Sequence, residues 1–120
     1  MFANVIIHVV DAQPSVNQLR LMTWNVRGWT NDNKQLRTNV IIGENPDITV
    51  VVETHLTGED KVDIDGYHGI SHNRQFRHIR ANRNFGGVGI LVKNCVFQVY
   101  DVVTVDKSVD GLLAANFLTN

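Results

Sequence analysis

Two polar residues stand where runs of apolar, β-branched residues stop. Asn25 follows Leu19-Arg20-Leu21-Met22-Thr23-Trp24, and Glu53 follows Ile48-Thr49-Val50-Val51-Val52. A carboxylate is a hard oxygen ligand suited to Mg²⁺, and a carboxamide beside it can orient a phosphate oxygen or a metal-bound water. The same pair has an ordinary reading. Asparagine is common where a chain turns, and a glutamate after an apolar run can simply mark where a strand meets water. Spacing alone leaves both readings open.

What decides between them is whether the chain brings the two residues to one place. Leu19 to Trp24 reads as a strand that breaks at Asn25-Val26-Arg27-Gly28. A helical segment follows, with Asn31, Asp32 or Asn33 as cap, Leu36, Val40 and Ile41 as its apolar recurrence, and Gly43 with Pro46 as its close. Ile48 to Val52 is almost continuously apolar, the pattern of a strand covered on both faces. Strand, helix and strand within this span make a βαβ unit, so the two strands are expected to be parallel. Functional groups of parallel α/β sheets collect at the carboxyl ends of strands, and that is where Asn25 and Glu53 fall.

Beyond the unit, Gly66 to Ile70, Val88 to Lys93, Val96 to Val105 and Leu112 to Leu118 read as further strands, with turns at Asn94-Cys95 and at Asp106 to Gly111. The expected fold class is α/β, with a mixed sheet that is parallel early and hairpin-rich late. Residues 1–18 read as a leader or an extra edge strand, because Pro14 interrupts them before the regular pattern starts, and residues 19–120 as the domain.

Three stretches carry a family resemblance. Thr23-Trp24-Asn25-Val26-Arg27-Gly28, then Val52-Glu53-Thr54-His55-Leu56, then Asn84-Phe85-Gly86-Gly87-Val88-Gly89-Ile90-Leu91-Val92-Lys93 resemble, in order, motifs of the endonuclease/exonuclease/phosphatase superfamily. Within it they are most similar to apurinic endonucleases and to the endonuclease domains of LINE-type retrotransposons. The resemblance implies a DNase I-like fold, a four-layer α/β sandwich of which this chain corresponds to the amino-terminal half. It also implies hydrolysis of phosphoesters with Mg²⁺, or Mn²⁺ in its place, and nucleic acid as partner. By motif, Glu53 matches the glutamate that ligates the metal and Asn25 the asparagine that arranges metal and phosphate; these are the candidate catalytic residues.

Family members continue with a catalytic tyrosine, an Asp-x-Asn pair and an Asp-His pair. None of these is found here, and Asp63-Ile64-Asp65 comes too early and reads as a surface turn before Gly66. The expectation is a partial phosphodiesterase domain of endonuclease type that does not turn over alone. Two alternatives share the pattern: a phosphatase or phospholipid phosphodiesterase of the same fold, and a non-catalytic remnant of a mobile-element endonuclease.

Arg74, Arg77, Arg80 and Arg83 recur every third residue in a stretch without acidic residues between Gly66 and Tyr100. Such a ladder can follow a phosphate backbone, or it can be a solvated segment paired with Asp60, Asp63 or Asp65. Arg27, beside the strand-end pair, is a further candidate substrate contact. Gly86, Gly87 and Gly89 lead into a strand and not a helix, so the dinucleotide fingerprint does not apply, and a turn with close backbone packing is expected. His68 and His72 lie four apart without a predicted helix, which argues against zinc. Trp24, Trp29 and Phe85 are expected in the core, with base stacking as the alternative.

Composition sets the remaining limits. Of 120 residues, 43% are hydrophobic and 19% charged, which excludes a disordered chain. The net charge of −1 means that any attraction to phosphate must come from a local patch. One cysteine, Cys95, cannot form an internal disulfide and favours a reducing, intracellular setting, with the nucleus as one candidate. No apolar run approaches the roughly 18 residues of a membrane helix. Half of a two-sheet fold is expected to expose an apolar sheet face and to self-associate through it.

Overall fold

The computed structural model describes residues 4–10, 19–73, 86–106 and 112–119. In chain order the elements are β1 (Asn4–Val10), β2 (Leu21–Asn25), α1 (Lys34–Glu44), β3 (Ile48–Val52), β4 (Tyr67–His72), β5 (Val88–Lys93), α2 (Asn94–Val99), β6 (Tyr100–Asp106) and β7 (Leu112–Thr119). The strands fall into two sheets, one of four strands in the order β2-β3-β5-β4 and one of three in the order β1-β7-β6. β2 and β3 are parallel, with Asn25 opposite Val52, and β5 runs antiparallel to both β3 and β4.

The β2-α1-β3 crossover is the expected βαβ unit. Because β3 and β5 are the inner strands, alternate residues of each must be apolar on both faces. Ile48 and Val52 share one face with Val88, Ile90 and Val92, and Val96, Phe97 and Tyr100 pack against that face. Val51 and Leu91 occupy the other face, where Val26, Trp29, Ile41, Val62 and Ile64 close over them. Ile41, Val51, Ile90 and Leu91 are fully buried. Trp29 is buried and Trp24 half-buried against the second cluster, so both tryptophans belong to the core.

Helix α1 forms where expected but contacts the sheet through a narrower stripe. Ile41 is its buried residue, while Leu36 and Val40 are 66% and 41% exposed. Its start is among the expected caps and its end differs. Asn33 is the cap residue, yet its side-chain oxygen accepts from the Thr30 amide (2.8 Å) and not from the helix. Gly43 lies inside the helix, and Asn45, with φ 53°, ends it in the left-handed conformation that asparagine tolerates.

The largest departure is at residues 94–99. The expected turn at Asn94-Cys95 and the start of the expected Val96–Val105 strand are instead α2, and strand structure begins only at Tyr100. A run rich in Val, Phe and Tyr suggested a strand, but Val96 and Tyr100 stand one helical turn apart and enter the core together, leaving Val99 53% exposed. β4 extends to His72, into the polar stretch that follows Ile70. β6 and β7 pair antiparallel as a hairpin, and β1 adds to β7 in parallel. Among the described residues no helix is long and apolar enough to cross a membrane.

Candidate metal and phosphate site

Asn25 is the last residue of β2, and Glu53 is the first residue beyond β3. Parallel pairing brings them to the same rim, and the Asn25 side-chain amide donates a hydrogen bond to a Glu53 carboxylate oxygen. The other end of the Asn25 amide is also engaged: its Oδ1 accepts from the Arg27 backbone N–H at 3.1 Å, closing the turn that follows the strand. Asn25 therefore aims one donor at the carboxylate and uses its acceptor to hold its own loop.

The loops carrying this pair are tied to each other by backbone hydrogen bonds. Val26 N–H donates to Val52 O (3.0 Å), Gly28 N–H to Glu53 O (2.7 Å) and Trp29 N–H to Thr54 O (2.8 Å), so β2 and β3 pairing continues beyond the strands. Thr54 N–H and His55 N–H then donate to Gly87 O (3.2 Å) and Gly86 O (2.8 Å), just ahead of β5. From the helix side, Arg37 Nε donates to Val26 O at 2.9 Å. Three segments, residues 25–29, 53–56 and 86–87, thus form one hydrogen-bonded rim.

Among the described residues this rim carries most of the unusual backbone. Arg27 (φ 49°), Glu53 (φ 54°) and His55 (φ 61°) are left-handed, and so are Gly28, Gly86 and Gly87. Left-handed backbone in residues with a side chain is uncommon and persists where surrounding contacts hold it, and such residues concentrate at functional sites. At Gly28, φ is 102°, a conformation that favours glycine, and a Cβ would sit a tight 3.3 Å from His55 Nδ1.

The donor set suits a hard, well-hydrated cation. Glu53 offers carboxylate oxygens, half-buried and therefore still reachable from solvent, and Mg²⁺ is commonly held by one or two carboxylates with waters and substrate phosphates filling the rest. Among the described residues no group of three or more His, Cys, Asp and Glu side chains converges to enclose a metal. The rim therefore fits an open, one-carboxylate site and not a caged one. Arg27 lies exposed beside it. Arg74, Arg77, Arg80, Arg83 and Phe85 lie outside the described residues. His68 stacks on Phe97, with ring centroids 3.8 Å apart, and His72 is buried at the end of the same strand.

The endonuclease/exonuclease/phosphatase family model matches residues 22–119, from within β2 to the end of β7. The chain belongs to this family. A crystal structure of an AP endonuclease from Leishmania major is similar to it with a TM-score of 0.51 and 25% sequence identity, over 63% of this chain. The match spans 24% of that solved chain, so the present sequence corresponds to about a quarter of it. No curated protein matches. As a family member the chain has the expected α/β character, a mixed sheet with a flanking helix, resembling the amino-terminal part of an AP endonuclease fold.

Sequence reasoning singled out Asn25 and Glu53 and expected close backbone packing at Gly86 and Gly87, but it assigned no separate part to Thr54, His55 or Arg37, which help hold the rim together. The signal was partly present. Two adjacent glycines followed by an apolar strand mark a close backbone approach, but they do not say which segment approaches. Arg37 gave no signal, because an arginine on an amphipathic helix is ordinarily solvated.

Proposed function

We propose that the chain carries the metal-ligating rim of a Mg²⁺-dependent phosphodiesterase domain of endonuclease type, acting on nucleic acid. The single observation that carries this reading is the contact between Asn25 and Glu53 at the ends of two parallel strands, in a chain of this family. Glu53 is the carboxylate that holds the cation, with Mn²⁺ able to substitute, and Asn25 fixes the direction of that carboxylate. Bound Mg²⁺ supplies neutralisation of charge on the phosphate and on the leaving oxygen. Arg27 adds positive charge next to the rim for an adjacent phosphate, and the Arg74, Arg77, Arg80 and Arg83 ladder extends that contact along a strand. The similarity to an AP endonuclease supports nucleic acid as substrate.

General-base activation of water requires a group beside the attacked phosphate. Glu53, the rim's carboxylate, is used as ligand, and the Asp-His pair of the family is not found in this sequence, so the 120-residue chain binds the cation without turning over a phosphodiester. The division at residues 18 and 19 belongs to the same proposal, with residues 1–18 a leader or an extra edge strand, the latter supported by the pairing of β1 with β7, and residues 19–120 carrying the partial family domain.

The test is Mg²⁺ titration of the chain followed by backbone amide NMR, beside nicking of supercoiled plasmid. Expected are Mg²⁺-dependent shifts at residues 25–28 and 53–55 that vanish in Glu53→Ala, and no nicking. Mg²⁺ shifts unaltered by Glu53→Ala would overturn the ligand assignment.

A further inference from the structure

Glu53 and His55 both adopt left-handed backbone, with Thr54 buried between them. Two consecutive residues with side chains do not hold that shape for free, and neither does an alternation of this kind; something outside the segment must impose it. The backbone N–H groups of Thr54 and His55 donate to the carbonyls of Gly87 and Gly86, at 3.2 and 2.8 Å. Those two residues are themselves left-handed, each with φ 85°. A Cβ on Gly87 would overlap the hydroxyl oxygen of Thr54 and lie 3.6 Å from the His55 backbone nitrogen.

From this we infer that Gly86 and Gly87 form a clamp that sets the direction of the Glu53 carboxylate. They are positioning residues for the site: both act through the amides of Thr54 and His55, which follow Glu53. The clamp fixes Thr54 and His55 from the β5 side, while Gly28 N–H fixes the Glu53 carbonyl from the β2 side at 2.7 Å. With its carbonyl and the two following amides held, Glu53 has one backbone setting left, the one in which its side chain meets the Asn25 amide. Specificity for glycine comes from φ and from the buried Thr54 together, which makes the clamp separable from general backbone strain. Gly66 supplies the matched case: its φ is 90° and nothing lies within 4 Å of a Cβ built there.

The inference rests on the metal reading for its consequence but not for its geometry, and the experiment keeps the two apart. In the full 120-residue chain labelled with ¹⁵N, the Asn25 side-chain amide resonance reports the contact with Glu53, and Mg²⁺ titration reports the site. Gly87→Ala is expected to move the Asn25 side-chain resonance toward that of a free amide and to weaken Mg²⁺ binding by about tenfold, the scale of lost ligand orientation. Gly66→Ala, with equivalent backbone strain, is expected to leave both unchanged. Thr54→Ala added to Gly87→Ala vacates the overlapping position and is expected to recover most of both signals, and to recover folding if Gly87→Ala alone does not fold. An unmoved Asn25 resonance in Gly87→Ala, an equal displacement in Gly66→Ala, or no recovery in the double variant would each overturn the clamp. A parent chain that binds no Mg²⁺ at Glu53 would sink the metal reading, and the Asn25 resonance would still decide the clamp.

Discussion

The side-chain amide of Asn25 donates to the carboxylate of Glu53, 28 residues away in sequence, because β2 and β3 run parallel and end together. The hydrogen bond engages one oxygen of the carboxylate, and in the proposed site the other is the one that takes the cation. Removing the donor leaves the ligand in place but free to rotate. Asn25→Ala is expected to weaken Mg²⁺ binding by about 10-fold, within the range seen when a residue orienting a metal ligand is lost. Glu53→Gln removes the negative charge itself and is expected to abolish binding. Calorimetric or NMR titration of the two variants distinguishes the orienting role from the ligating one; equal loss in both would contradict this division.

Ile41 is the point at which α1 is anchored, since it is fully buried while Leu36 on the same helix is 66% exposed. Ile41→Ala is expected to cost about 2–5 kcal/mol through lost burial and an unfilled space between helix and sheet. Leu36→Ala is expected to change stability by less than about 0.5 kcal/mol. Urea unfolding of both variants measures the difference, and similar losses would show that the helix is seated on a wider face.

Tyr67 gives stability a dependence on alkaline pH. Burial, then the negative charges at Asp47 and Cys95, push its phenol above the ordinary value of 10.0, and its hydroxyl donates to Pro46 O at 3.3 Å. The folded chain thus keeps the phenol protonated at pH values where the unfolded chain has begun to lose that proton. The contribution is fully present below the unfolded value and is lost as pH rises through the higher folded value. Unfolding free energy is expected to fall as pH increases above about 10, and Tyr67→Phe to flatten that slope. Denaturation series across this range, parent against variant, provide the check; parallel slopes would refute it.

Leu21 stands 58% exposed on β2, at the edge of the four-stranded sheet. An edge strand with an apolar side chain in water offers both unpaired backbone and apolar surface to another copy. The isolated chain is expected to self-associate as concentration rises, and Leu21→Lys to shift it toward monomer. Sedimentation velocity over a concentration series measures this, and a parent chain that stays monomeric throughout would count against it.

Much of the β2-α1-β3 unit was legible in the sequence because each element reports on itself. An apolar β-branched run ending in Glu53 describes a doubly covered strand, and capping residues and apolar spacing describe α1. The motif words around Asn25 and Glu53 marked the pair in advance, since parallel strands on either side of one helix must end on the same rim. Residues 94–99 were misread because a short apolar run rich in β-branched and aromatic residues is compatible with either helix or strand. The choice was made by a core that accepts Val96 and Tyr100 from one side.

By itself, then, the sequence determined that Asn25 and Glu53 close neighbouring strands of an α/β domain and that their types suit a phosphate and a hard cation. Tertiary structure decided the direction of the Glu53 carboxylate. That direction depends on left-handed backbone at Glu53 and His55, which no local preference favours and which is held by Gly28 on one side and by Gly86 and Gly87 on the other. Contacts between segments so far apart in the chain leave no periodic trace in any one of them, so only the folded arrangement could reveal which backbone faces which.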